Sequence, residues 1–336
     1  MLISNLIKQR LDTSFMRFLA VVLVVNSHLD TLYPSNLSYF ASGGAIGNSL
    51  FFFLSGFGLW YSVHNLKSYT FTQWIGKRFL RIYTPYIIVV PALIGILIYM
   101  GDLNLDNIIT IGEIVFFPHQ AYWFLQAIIL YYILIYFLFS IWGSSDRSIF
   151  LFIVAFLTLY LYFYFYSIDL AIFSIESLPF KLIYYFLCIL LGMVASNKIK
   201  EAMLGCFSSF VCVISSLLAF LVLKIKMQNG IGYEYQILQH IAVLCLVFSL
   251  FSLSRTLFVP WLRKLRLVSQ SIDFIADHSL EIYLVHLPLV FLLRYLNLTS
   301  SLYILPLVVC TLVLSRYVKI FSERALVRLE LIEESV

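Results

Sequence analysis

Stretches of about twenty apolar residues, each closed by charged or turn-forming residues, recur along the whole of this chain. A hydrocarbon core about 30 Å thick takes roughly 20 residues of helix to cross, and inside it every backbone N–H and C=O must be paired within the segment. The pattern therefore leads to helices packed side by side in lipid. The predicted spans are Ser14–Tyr33, Ala45–His64, Ile82–Met100, Tyr122–Trp142, Ser148–Ser167, Pro179–Ser196, Met203–Leu223, Gln236–Leu253, His278–Leu296 and Leu302–Ile320. Composition agrees, since 62% of the residues are hydrophobic and only 12% charged, outside the range of ordinary soluble domains. The expected fold is an all-α integral membrane protein, a bundle of about 10 transmembrane helices. It forms one domain over residues 1–336 with no separate soluble domain, because no connecting loop exceeds about twenty residues.

An even number of spans puts both termini on one side, and Lys and Arg are retained in cytoplasmic loops. With the N-terminus inside, eighteen of the 22 basic residues fall on the inner side, among them Arg17, Lys77, Arg78, Arg81, Lys198, Lys200, Arg255, Arg263 and Lys319. Only Lys181, Lys224, Lys226 and Arg294 fall outside. The N-terminus and C-terminus are thus expected to be cytoplasmic, and the net charge of +5 is a topology signal with no nucleic-acid motif behind it. The run Phe18–Val25 follows a basic N-terminus as in a signal peptide, yet no small-x-small cleavage site comes after it, so it reads as a retained first helix. The five cysteines are scattered through apolar spans without a C-x-x-C spacing and read as buried packing residues. No His/Glu spacing suggests a metal site.

Ionisable groups within spanning helices cost about 2.5–3.5 kcal/mol on insertion scales, so they mark where chemistry is to be sought. The first span holds Arg17 and, eleven residues on, His28. In a helix they lie about 16 Å apart along the axis and close to one face, able to line one cavity. A snorkelling Arg and a boundary His explain them equally. In Phe51-Phe52-Phe53-Leu54-Ser55-Gly56-Phe57-Gly58 the small residues permit close helix approach, with Ser55 either facing a cavity or simply packed. Arg78 and Arg81, three residues apart at the inner mouth of the third span, are either anchors or a fork for phosphate. Trp123 stands in an outer aromatic belt. Glu281 suits a helix first turn, and His286 lies deeper, just before Pro288. His64, His119 and His240 stand near span boundaries and need no special role.

Taken in order, these residues resemble acyltransferase family 3, the multi-spanning membrane acyltransferases that modify hydroxyls of surface glycans. The resemblance runs through most of the chain. It rests on Arg17 with His28, on Phe51, Phe52, Ser55 and Gly56, on Arg78 with Arg81, on Trp123-Phe124-Leu125, and on Ile282-Tyr283-Leu284-Val285-His286. One departure is the start of the first helix, Phe15-Met16-Arg17-Phe18-Leu19-Ala20, where family members often have a longer polar stretch with Gly. The resemblance implies an O-acyltransferase, most often an O-acetyltransferase, in a bacterial cytoplasmic (inner) membrane and in stand-alone form without an appended esterase-like domain. Acetyl-CoA or another acyl-CoA is the implied co-substrate, with no permanently bound cofactor, and a glycan or lipid-linked glycan the acceptor. Membrane lipids are the other partners. His28 and Arg17 are the implied catalytic residues, Arg78 and Arg81 hold the donor, and Ser55, Trp123, Glu281 and His286 line the cavity or bind acceptor. A transporter or flippase for a lipid-linked saccharide is the alternative, since intramembrane Arg and His also line transport paths. A glycan polymerase would ordinarily bring a large outer loop, which is absent here.

Overall fold

The computed structural model describes residues 2–104, 106–166, 178–197, 205–228, 235–254 and 261–333. Among them are twelve α-helices and no strand: α1 (Leu2–Ser27), α2 (Gly44–His64), α3 (Phe71–Met100), α4 (Ile108–Phe116), α5 (Trp123–Trp142), α6 (Asp146–Tyr166), α7 (Leu178–Asn197), α8 (Cys206–Gln228), α9 (Gln236–Ser254), α10 (Arg266–Asp277), α11 (Ser279–Tyr295) and α12 (Ile304–Glu333). Eight stretches are long and apolar enough to cross a membrane, and α11 makes a ninth when joined to α10. The apolar part of α1, Thr13–Ser27, is shorter. Each of the ten predicted spans has its helix, so this is an all-α, multi-pass membrane protein. Lys198, Lys200 and Arg255, assigned above to the inner side, lie outside the described residues, as do the span ends Ser167 and Met203.

The chain divides into two compact units whose segments alternate along the sequence. The first comprises Met1–Ala20, Ala45–Ser68 and Tyr136–Ala276, the second Val21–Gly44, Tyr69–Ile135 and Asp277–Val336. In the first unit α6 packs on α7 and α8 on α9. The α2–α7 crossing explains the small-residue stretch seen in the sequence. A Cβ on Gly56 would lie 1.9 Å from the Ile189 carbonyl oxygen, and one on Gly192 1.9 Å from that of Phe53, so the two backbones touch through reciprocal glycines. Beside this joint His240 stacks on Tyr184 at 4.1 Å and shares a 2.7 Å hydrogen bond with the Tyr160 hydroxyl, which makes it a buried aromatic-core residue rather than a boundary group. The amphipathic α10 packs Ile272 against Phe15 of α1.

In the second unit α3, α11 and α12 pack on one another, with α4 against α3. A capping box starts α3: the Thr70 hydroxyl accepts from the Gln73 N–H and the Gln73 side chain accepts from the Thr70 N–H. Gly101, at φ +82°, ends it in the left-handed conformation that glycine adopts without strain.

The cysteines depart from the sequence expectation. Only Cys188 is buried, whereas Cys206, Cys245 and Cys310 are exposed on helix surfaces. Hydrocarbon solvates an apolar thiol on the outside of such a bundle, so residence in an apolar span does not imply residence in the core. The same reason covers exposed Phe207, Phe210 and Leu218 on α8 and Leu305 and Val309 on α12.

Candidate active site

The second unit gathers polar groups along α11. His28 stands one residue beyond the end of α1, its N–H bonded three residues back to the Val25 carbonyl, so the helical phase expected to carry it stops at Ser27. The turn is built locally. Asn26 donates through Nδ2 to the carbonyls of Phe40 (2.7 Å) and Ser42 (3.0 Å) and accepts from the Tyr33 hydroxyl (2.7 Å), pinning the connection to α2. Leu29 and Leu32 then pack on Val290 of α11 and Leu307 of α12, drawing this turn onto α11. Burial of these four side chains is a hydrophobic clasp worth about 1.5–3 kcal/mol per residue in water, and in lipid its value lies in packing.

On α11, fully buried His286 meets His28: Nε2 of His286 is 3.1 Å from Nδ1 of His28, and the ring centroids are 5.1 Å apart. The direction of this bond follows from its neighbour. Nδ1 of His286 lies 3.1 Å from the Ile282 carbonyl oxygen, which can only accept, so a neutral His286 carries its proton on Nδ1 and offers a lone pair at Nε2. His28 must then donate from Nδ1, which leaves its own lone pair on Nε2. Arg294, one of the four basic residues outside the charge pattern, closes the group. It donates from Nη2 to the His28 carbonyl at 3.1 Å and pairs with Asp30, so the backbone on both sides of the imidazole is held.

Aromatic residues wall this pair. Tyr283 lies 5.8 Å from His286 by ring centroids, Tyr122 follows at 6.1 Å from Tyr283, and Tyr86 at 5.7 Å from Tyr122. Buried Tyr122 donates to the Leu284 carbonyl at 2.7 Å, tying the start of α5 to α11. Trp123, its predicted neighbour, is half-buried at the first position of α5 and stacks edge-on against Phe124. Tyr122, and from the motif itself Phe124, whose ring lies 5.5 Å from that of Tyr283 by centroids, bring this segment onto α11.

Toward the other end of α11, Glu281 is 8% exposed in the first turn, where the helix dipole favours a carboxylate. The charges of Lys319, Glu323 and Arg81 act on it, so the unit brings Arg81 and Glu281 into one electrostatic neighbourhood. Arg78, one turn before Arg81 on α3, lies over the Trp74 ring at 3.8 Å and donates to the Trp74 carbonyl at 2.7 Å. Arg81 is exposed. Arg17, half-buried on α1, and Ser55, half-buried on α2 beside the Gly56 joint, belong to the first unit.

A family profile described as an acyltransferase domain, acyltransferase family 3, covers residues 11–318. The chain belongs to this family. It is accordingly a membrane acyltransferase. No curated protein and no solved structure matches it. Of the residues gathered around His28 and His286, Tyr283 falls within the Ile282-Tyr283-Leu284-Val285-His286 motif, whereas Asp30, Arg294 and Tyr122 are not site candidates from sequence alone. Arg294 alone had a signal there, as an arginine on the side where positive charge is scarce.

Proposed function

We propose that this family-3 enzyme is an O-acyltransferase, moving an acyl group, in first place acetyl, from cytoplasmic acyl-CoA to a hydroxyl of a cell-surface or lipid-linked glycan in a bacterial cytoplasmic membrane. The observation that carries the reading is the directed hydrogen-bond chain from the Ile282 carbonyl through His286 to His28, because it leaves a lone pair on a half-buried imidazole nitrogen inside an apolar bundle. Such a nitrogen is suited to accept the proton of a hydroxyl.

In this reading Nε2 of His28 takes the proton of the acceptor hydroxyl as its oxygen bonds to the thioester carbonyl carbon. The tetrahedral intermediate collapses, the C–S bond breaks, and the CoA sulfur leaves with the proton from the His28 imidazolium, so ester and free CoA thiol form and the base is restored. The imidazolium formed in between is stabilised by hydrogen bonding to neutral His286. Arg78 and Arg81 grip the phosphates of the donor, for which planar guanidinium groups are matched. Along α11 the rise from Glu281, near Arg81, to His286 is about 7.5 Å, which favours a donor held at the basic end with its reactive end at the histidines.

The test uses the full chain in lipid nanodiscs with labelled acetyl-CoA and lipid-linked oligosaccharides. His28→Ala is expected to insert in membranes and to lose transfer by about 10²–10⁴-fold, the usual contribution of a general base. Arg78→Ala with Arg81→Ala is expected to weaken acyl-CoA binding measured by calorimetry. Wild-type transfer by His28→Ala, or saccharide crossing the bilayer with no label leaving CoA, refutes the proposal, the second result being that of a flippase.

A further inference from the structure

One cavity of about 560 Å³ in the second unit has no part in the groups described so far. It lies at the end of α3 remote from the arginine pair: Leu97 and Met100 line it, and from Arg81 to Leu97 the helix rises about 24 Å, most of a hydrocarbon core. Its other walls come from α4, from the segment leading to α5 and from Phe291 of α11. The lining has two characters. Leu97, Leu103, Ile114, Phe117 and Phe291 make an apolar floor, while Asp102, Thr110, Glu113, His119 and Gln120 supply hydrogen-bonding groups. No Lys or Arg is among the lining residues.

The wall is preformed. Tyr83 and Tyr86 of α3 donate to the carbonyls of Val115 and Ile114 at the end of α4, and the Tyr86 hydroxyl accepts from the His119 N–H at 3.2 Å. His119 in turn accepts from the Ala121 N–H through Nδ1, so its ring is fixed with Nε2 as donor. Tyr86 is also the far member of the aromatic wall that runs through Tyr122 and Tyr283 to His286. The opposite side of α4 exposes Ile108, Ile109 and Phe116, which seats the helix against lipid.

A volume of 560 Å³ is within the roughly 300–1,000 Å³ of small-molecule sites. Apolar faces for sugar rings, side-chain acceptors and donors for hydroxyls, and carboxylates without a compensating cation are together the chemistry of a saccharide that carries no negative charge. We propose that this cavity is the acceptor subsite and that Asp102 and Glu113 select neutral or amine-bearing saccharides against acidic ones. The inference rests on the acyltransferase reading above and adds to it the class of acceptor.

The experiment has two arms, both on the full chain in nanodiscs. The probes are trisaccharides of glucose, of glucosamine and of glucuronic acid. The first arm measures their binding by calorimetry without acyl-CoA, and the second measures acetyl transfer to each as kcat/KM. Wild type is expected to bind and use the glucose and glucosamine compounds at least about tenfold better than the glucuronic one, a preference of about 1.4 kcal/mol. Asp102→Asn with Glu113→Gln is expected to reduce that preference to within about twofold and to raise KM for glucosamine. The cavity assignment is overturned if wild type prefers the acid, or if the double variant leaves both binding and preference unchanged while transfer proceeds. Cavity-dependent binding without transfer of label to any hydroxyl overturns the acyltransferase reading instead and leaves the subsite standing.

Discussion

His286→Phe separates the orientation of the base from its presence. Phenylalanine keeps an aromatic ring in the fully buried position, so packing against Tyr283 is largely retained, and both ring nitrogens are lost. The Ile282 carbonyl remains inside the helical hydrogen-bond ladder and loses little. Nδ1 of His28 loses its 3.1 Å partner while the ring keeps a hydrogen bond to the Val24 carbonyl, so the loss is that of one hydrogen bond, about 0.5–1.5 kcal/mol. Borne by the tautomer that performs catalysis, that cost lowers kcat by about 2- to 13-fold, since 1.4 kcal/mol is tenfold. KM for acyl-CoA is expected to change little, because the donor is held at the other end of α11. The assay is transfer of labelled acetyl by wild type, His28→Ala, His286→Phe and the double variant, read as a cycle. Once His28 is gone His286 has nothing to orient, so the double variant should be no slower than His28→Ala alone. An unchanged kcat in His286→Phe, or fully additive losses in the double, would refute the argument that His286 acts through His28.

Arg294→Met removes the Nη2 that donates to both the His28 carbonyl and Asp30, so kcat should drop by about 10-fold or more with membrane insertion unaffected, in line with about 1.5–3 kcal/mol for a hydrogen bond to a charged group. Equal rates in wild type and Arg294→Met would leave the arginine as a surface pair only. Gly56→Ala must move a Cβ about 1 Å away from the Ile189 carbonyl, which overpacks the α2–α7 joint by about 1–3 kcal/mol, whereas a Cβ on Gly58 meets nothing within 4 Å. Thermal unfolding in detergent should lower Tm for the first and not for the second, and equal Tm values would contradict the crossing.

The helices could be found in the sequence because lipid imposes a length and an apolar content on each of them, and these are local properties. The short α4 and α10 are hidden in the sequence for the converse reason: at nine and twelve residues they are too brief for a window set to the membrane. The site was legible one residue at a time. His28 and His286 each stood out as polar within apolar sequence, but their contact joins positions 258 apart, and no periodicity encodes that. His119 and His240 read as boundary residues by the same logic, and tertiary packing gives one a place in a cavity wall and the other a buried stack. Gly56 was the reverse case, its packing reading following from residue size alone and met by the backbone of α7.

Glu281, His286, Phe291 and Arg294 hang from a single helix, and this makes the segment intolerant of a kind of change different from substitution. One residue inserted between Glu281 and His286 would turn everything beyond it by about 100° and advance it by about 1.5 Å. The imidazole would leave its partner, the guanidinium its carboxylate and the phenyl ring its wall, all in the same event. Length, fixed between those four positions, is therefore the property under the tightest constraint in this stretch, while the turn between α1 and α2, held by side chains such as Asn26, can absorb an added residue at its exposed 35–40 portion.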